Sequence, residues 1–384
     1  MIRVVVFGMG MVAAHLLTGV ERIKAGLEPW GVPLAKYKLS KAIEDIEFVG
    51  VYDIDSYKIG RSVYDICREM IGREVPVPES LKQLKVSMGI HLGSARGMPI
   101  KAQGLEDFGG VAEAIDRLVD EFSGFGADVF VNVITTEPAR AFNTLEDLEK
   151  AIEEGRVSAS QAYAYAVAKY ARKRGRRVAF INVIPTPIAR DPAFVELYRR
   201  VASIVLGDDG ATGATPLTAD ILEHLAQRNR KVLSIAQFNI GGNTDFLALT
   251  FPERNLMKEE TKSSIVEDIL GYSVPHFIKP TGYLEPLGDK KFVAMHIAWK
   301  TFNGLEDELI VNMRINDSPA LAGMLVDLIR ISAILLEHGV SGTSYEINAF
   351  FMKAPGPKGS RNIARIVAYY NMLDYLKKLG AIGI

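Results

Sequence analysis

Residues Ile2–Ala13, IRVVVFGMGMVA, decide the fold of this chain. Val4–Phe7 is a short β-branched run that reads as a buried strand, and it breaks at Gly8. The spacing Gly8-x-Gly10-x-x-Ala13 then opens a helical pattern expected over Met11–Ala25. Gly8 permits the tight turn, Gly10 lets backbone approach a pyrophosphate, and Ala13 is small enough to pack helix on strand. The helix start, at Met11 and Val12, adds unpaired N–H groups and a dipole that favours phosphate.

A second strand supplies the partner to this turn. Val49-Gly-Val-Tyr-Asp53 ends in a carboxylate, the usual acceptor for adenosine ribose hydroxyls. Asp53 stands further downstream than the usual spacing of about 20 residues. An insertion at Glu28–Ser40, with Pro29, Gly31 and Pro33, accounts for the excess. A carboxylate here repels a 2′-phosphate, so the expected cofactor is NAD rather than NADP. Gly8, Gly10, Met11, Val12 and Asp53 form the expected cofactor site.

On either side of this unit, apolar runs alternate with helical patterns. Glu47–Tyr52, Val129–Val133, Val178–Val183 and Ser203–Leu206 read as further buried strands. Helices are expected over Leu105–Phe122, Leu145–Glu154 and Ala159–Lys173. Near residue 230 the pattern changes to longer strands, Val232–Asn239, Phe292–Phe302 and Glu308–Ile315. Asn303–Asp307 is the expected hairpin loop between the last two. Helix returns over Ala320–His338, and a last helix is expected over Asn362–Leu379. The expected class is α/β: a Rossmann-like parallel-sheet domain plus an α+β catalytic and oligomerisation domain on an antiparallel sheet. Residues 1–215, completed by 318–384, form the first, and residues 216–317 the second.

Composition excludes several functions. The chain has 384 residues, 24% of them charged, and a net charge of −1, which gives no footprint for nucleic acid or an anionic membrane. No uninterrupted apolar stretch approaches the roughly 20 residues that span a bilayer, so a cytoplasmic enzyme is expected. Cys67 is the one cysteine, which rules out a disulfide framework and a thiolate zinc site. His15, His91, His224, His276, His296 and His338 show no metal-ligand spacing, and no metal site is expected from them.

Two further glycine turns suit anions and hydroxyls. In GDDGATGATP, residues 207–216, small residues leave backbone N–H groups bare, with Thr215 as expected cap of the next helix and Pro216 at its first position. Asn239-Ile-Gly-Gly-Asn243-Thr-Asp245 combines two amides with a carboxylate. Four lysines stand near these turns. Lys258 and Lys262 share one face if helical, Lys291 heads a strand, and Lys353 follows Ala349-Phe-Phe-Met. Such cations stabilise a phosphate or a developing oxyanion. Taken singly, each also reads as a solvated side chain at an element end.

Together these motifs resemble the myo-inositol-1-phosphate synthases, in their short archaeal and bacterial form. The resemblance runs over nearly the whole chain. It includes TTEP at 135–138, YAYA at 163–166 and INVIPTPIARDPAF at 181–194. It continues through QFNIGGNTDFLAL at 237–249, KEETKSS at 258–264, LGDKKF at 287–292, INDSPALAG at 315–323 and NAFFMKAP at 348–355. The resemblance implies a redox-neutral conversion of glucose 6-phosphate to inositol phosphate: oxidation at carbon 5, enolisation, aldol closure and re-reduction, with NAD retained and regenerated. It places Lys258, Lys291, Lys262, Lys353 and Asp317 in catalysis. Lys258 holds the carbon-5 oxyanion, Lys262 the phosphate, Lys291 both neighbourhoods, and Lys353 the carbon-1 oxygen. Asp317 orients a lysine beside the nicotinamide. Substrate contacts fall to Asp209, Thr212, Gly213, Thr215, Asn239, Asn243 and Asp245, with Thr135, Thr136 and Asp209 also at the cofactor.

One departure stands out. The commoner phosphate turn reads SGQT, and Thr212-Gly213-Ala214-Thr215 replaces it, so a side-chain amide is lost at Ala214. A homotetramer built through the second sheet is also implied, and a divalent or ammonium ion is left open. Two other readings share the nucleotide half: a dehydrogenase with net redox output, and an NAD-sensing regulator that binds no sugar phosphate.

Overall fold

The computed structural model describes residues 1–251, 253–254 and 265–382. Six strands form a wholly parallel sheet: β1 (Ile2–Phe7), β2 (Ile46–Asp53), β3 (Val86–Met88), β4 (Val129–Asn132), β5 (Ala179–Asn182) and β6 (Ile204–Leu206). Their order is β3-β2-β1-β4-β5-β6, the doubly wound arrangement. β4 and β5 are buried along their whole length, because helices cover both faces. On one face Phe7 stacks on Tyr163 with centroids 4.1 Å apart, drawing helix Ala159–Arg174 onto the sheet.

The other face is closed by the first helix, Met11–Lys24, and by Asp317–Glu337, which pack on each other and share one core. The latter is long and apolar enough to cross a bilayer, yet 72% of its apolar window is buried within the protein. Asp327 and Arg330 form a buried ion pair there, and Leu34 N–H donates to Asp327 at 2.6 Å. It is a core helix. Strand order reverses between β1 and β4, so the crevice for ligands opens at the carboxyl ends of those strands.

The second sheet contains β7 (Lys231–Gly241), β8 (His276–Tyr283), β9 (Lys290–Lys300) and β10 (Glu306–Asn316), in the order β10-β9-β7-β8. β9 pairs antiparallel with both β10 and β7, and a short 3₁₀ turn at Phe302–Gly304 joins β9 to β10. β8 joins parallel to β7, so the sheet is mixed rather than purely antiparallel. Pro280 lies inside β8, and a proline is tolerated there because β8 is an edge strand. Its register with β7 shifts beside that residue. Helix Thr215–Gln227 packs under this sheet through Ala219, Leu222 and Leu225.

Candidate active site

The glycine turn is built for close backbone approach. Gly8 has φ +96°, and a Cβ there would lie 2.9 Å from the backbone N and Cα of Ile134. Gly10 is extended, with nothing within 4 Å of a built Cβ. It stands at the N-cap of helix Met11–Lys24, where no side chain of its own covers the first-turn N–H groups. Ala13 is fully buried against the sheet. Strand end, open glycine and uncapped helix start together fit a dinucleotide pyrophosphate.

A cleft with about 1040 Å³ of open space adjoins this turn and reaches the second sheet. Gly10, Met11, Val12, Thr135 and Thr136 line it from the glycine turn and the end of β4. Asp209, Thr212, Thr215, Asn239, Asn243 and Asp245 line it from the other elements. Lys291, Lys353 and Asp317 line it too. Gly213 adopts φ +72°, and a Cβ there would lie 3.2 Å from Lys291 Nζ. Lys258 and Lys262 lie outside the described residues.

Each of the two described lysines is held by a carboxylate. Lys353 Nζ donates to Asp209 Oδ1 at 3.1 Å, a pair almost wholly buried. Backbone fixes the same two residues, since Lys353 N–H donates to the Asp209 carbonyl at 2.6 Å. Asp209 has φ +60°, a left-handed conformation that aspartate tolerates. Lys291 Nζ donates to Asp317 Oδ2 at 2.8 Å and lies 4.9 Å from the centre of the Phe246 ring. Thr136 Oγ1 donates to Asp245 Oδ1 at 3.1 Å, tying the β4 end to the turn after β7.

Other expected residues take partly structural parts. Helix Thr215–Gln227 is capped by Ala214, not by the Thr215 hydroxyl; Thr215 lies one residue inside, with Pro216 next. The amide-rich turn before it, not a cap side chain, starts the helix. Asn243 caps helix Thr244–Ala248 by accepting from Phe246 N–H at 3.1 Å, and its Nδ2 donates to Asp289 at 2.9 Å. Asn239 Nδ2 donates to the Lys279 carbonyl at 3.1 Å, and its oxygen accepts from Gln237.

Gly8 and Asp53 line a second pocket, with about 710 Å³ of open space, that shares Gly10 and Thr135 with the cleft. The Asp53 carboxylate accepts Met9 N–H at 2.7 Å on one oxygen, and Ile54 and Asp55 N–H at 2.7 and 2.8 Å on the other. It therefore braces the glycine turn directly.

Three further carboxylates, not singled out in the sequence, brace the site or the loops behind it. Asp289 accepts from Asn243 and from both the N–H and the hydroxyl of Ser318, at 2.9, 2.8 and 2.6 Å. Its position between Gly288 and the lysines was the only signal. Asp208, beside Asp209, accepts from Asn182 Nδ2 and from Ile188 and Ala189 N–H, fixing the loop after β5. Burial raises its carboxyl to about 6, opposed by Arg190. Asp191 is likewise raised by burial, to about 7, against N–H donors from Phe142 and Ala193. Away from the cleft, His91 Nε2 contacts Asp107 at 3.1 Å beside Glu106, a polar clamp on the loop that follows β3.

A doubly wound sheet whose glycine turn opens onto a cleft of paired lysines and carboxylates defines a Rossmann-like enzyme with a second, mixed-sheet layer. The chain belongs to the myo-inositol-1-phosphate synthase family. It is 53% identical to a myo-inositol-1-phosphate synthase-related protein of Thermotoga maritima, with a TM-score of 0.92 and 98% of each chain covered. The family model for myo-inositol-1-phosphate synthase matches residues 213–318. The inositol-3-phosphate synthase of Corynebacterium glutamicum is 26% identical over 377 residues, covering 95% of this chain and 96% of that one. The inositol-3-phosphate synthase of Caenorhabditis elegans shares the fold at 15% identity, with a TM-score of 0.82 over 100% of this chain and 86% of that one.

Proposed function

We propose that this chain converts D-glucose 6-phosphate to 1D-myo-inositol 3-phosphate by oxidation at carbon 5, enolisation at carbon 6, aldol closure onto carbon 1 and re-reduction. The observation that carries the reading is the convergence of Lys291–Asp317 and Lys353–Asp209 on one cleft beside the open glycine turn. NAD, held along Gly8–Val12 and retained between steps, supplies the acceptance and return of a hydride.

The chain's own groups place and stabilise charge. Lys291, fixed by Asp317, faces the phosphate and the carbon-5 oxygen. Lys353, fixed by Asp209, takes the carbon-1 oxygen as the sugar opens and as the ring closes. Lys258 and Lys262 carry the carbon-5 oxyanion and the phosphate, the parts that the family resemblance gives them. Backbone donors at Thr212–Thr215 carry phosphate recognition in place of the amide absent at Ala214. A dehydrogenase with net redox output has no need of a second buried cation at the far carbon, which favours the isomerase.

The nucleotide half comprises residues 1–215 and 318–384, and the catalytic half residues 216–317. A homotetramer in the cytoplasm, joined through the mixed sheet, fits the exposed apolar side chains of Phe238, Phe277 and Ile310 there. The test is isotopic. Glucose 6-phosphate deuterated at carbon 5 should give inositol phosphate that keeps the label at the same carbon. Label released into added NAD would overturn the redox-neutral reading.

A further inference from the structure

We infer that Lys58, rather than Asp53, meets the 2′ position of the adenosine ribose, and that this site therefore accepts NADP as well as NAD. The inference rests on the dinucleotide reading above and concerns only its ribose end. A carboxylate offers about four acceptor positions on its two oxygens. At Asp53 four donors fill them: Met9, Ile54 and Asp55 N–H at 2.7, 2.7 and 2.8 Å, and Lys58 Nζ at 3.2 Å. Three of the four are backbone groups of the glycine turn and of the chain leaving β2, so they do not withdraw when a ligand arrives. The carboxylate that the sequence offers as ribose acceptor is thus occupied by the fold.

Lys58 has the spare capacity. An ammonium group carries three donors, and the bond to Asp53 is the longest of the four and uses one of them. Its side chain is 21% exposed and lines the same pocket as Gly8, Gly10 and Asp53, with Ser94 also on the wall. The ion pair changes the electrostatics as well. A lone carboxylate repels a 2′-phosphate, whereas one neutralised by an adjacent ammonium does not, and the ammonium can itself pair with phosphate. Coenzyme choice at this site is set by the cation five residues beyond the strand-end acid.

The experiment is calorimetric titration of the full chain with NAD and with NADP, for wild type, Lys58→Met and Lys58→Arg. Wild type should bind the two within about tenfold of each other. Lys58→Met should weaken NADP at least tenfold while NAD changes less than threefold, and Lys58→Arg should restore NADP. An unchanged ratio of affinities in Lys58→Met, or a wild type that binds NAD and excludes NADP, overturns the inference and returns recognition to Asp53. A wild type that binds neither dinucleotide removes the cofactor reading itself, which is a different failure.

Discussion

Alanine at Gly10 and alanine at Gly8 separate cofactor binding from folding. At Gly10 the backbone has φ −95° and ψ −167°, which any residue adopts, and a new Cβ meets nothing within 4 Å. The folding cost is that of a poorer N-cap residue, about 0.5–1 kcal/mol. The methyl group instead projects where a pyrophosphate must approach the bare N–H groups. NAD affinity should therefore fall at least tenfold, about 1.4 kcal/mol. Gly8 is the reverse case. Its φ of +96° strains an alanine by about 1–3 kcal/mol, and a Cβ 2.9 Å from Ile134 backbone adds an overpacking cost of about 1–3 kcal/mol. Together these give about 2–6 kcal/mol of lost stability. Urea denaturation followed by circular dichroism reads stability, and calorimetric titration reads NAD affinity. Unchanged NAD affinity in Gly10→Ala, at full stability, would show that the helix start does not hold the cofactor.

Lys353→Ala should abolish cyclised product while NAD affinity stays within about threefold; product formation seen by NMR would remove Lys353 from the mechanism. Stability should fall as pH rises from about 4 to about 7. The sign follows from Asp208 and Asp191, whose carboxyls keep protons in the folded state up to about 6 and 7, whereas the unfolded groups lose theirs near 3.8. Asp208 alone contributes on the order of 3 kcal/mol to that fall, and urea midpoints at pH 4 and 8 measure it, with Asp208→Asn expected to shrink the difference and leave the part due to Asp191. Asn243→Ala should cost about 1–2 kcal/mol by removing a helix cap and the bond to Asp289, read from the same denaturation curves.

The parallel-sheet half was legible because its signals are local. A β-branched run, two glycines and an uncapped helix start lie within Ile2–Ala13, and each has its own backbone reason. Strands that lack period or length were lost. β3 has three residues with Ser87 breaking its apolar run, unlike the equally short but wholly apolar β6, and β8 carries Pro280 and pairs parallel to a strand about 40 residues earlier, which no local pattern encodes. The ends of the last helix moved inward, to Arg365–Lys378. At the site, residue types could be nominated but not their partners. Lys353 meets Asp209 across 144 positions, and Asn243 spends its amide on Asp289 across 46. Lys58 was invisible for the same reason: nothing in its neighbours announces that the fold saturates Asp53.

Product stoichiometry tests the proposed redox-neutral cyclisation most directly. Purified protein should be incubated with glucose 6-phosphate and substoichiometric NAD, and the products identified by NMR. Inositol phosphate in large excess over added NAD is the expected result. An oxidised sugar phosphate limited to one equivalent of NADH, with no ring formed, would rule out the cyclisation and mark the chain as a dehydrogenase on the same scaffold.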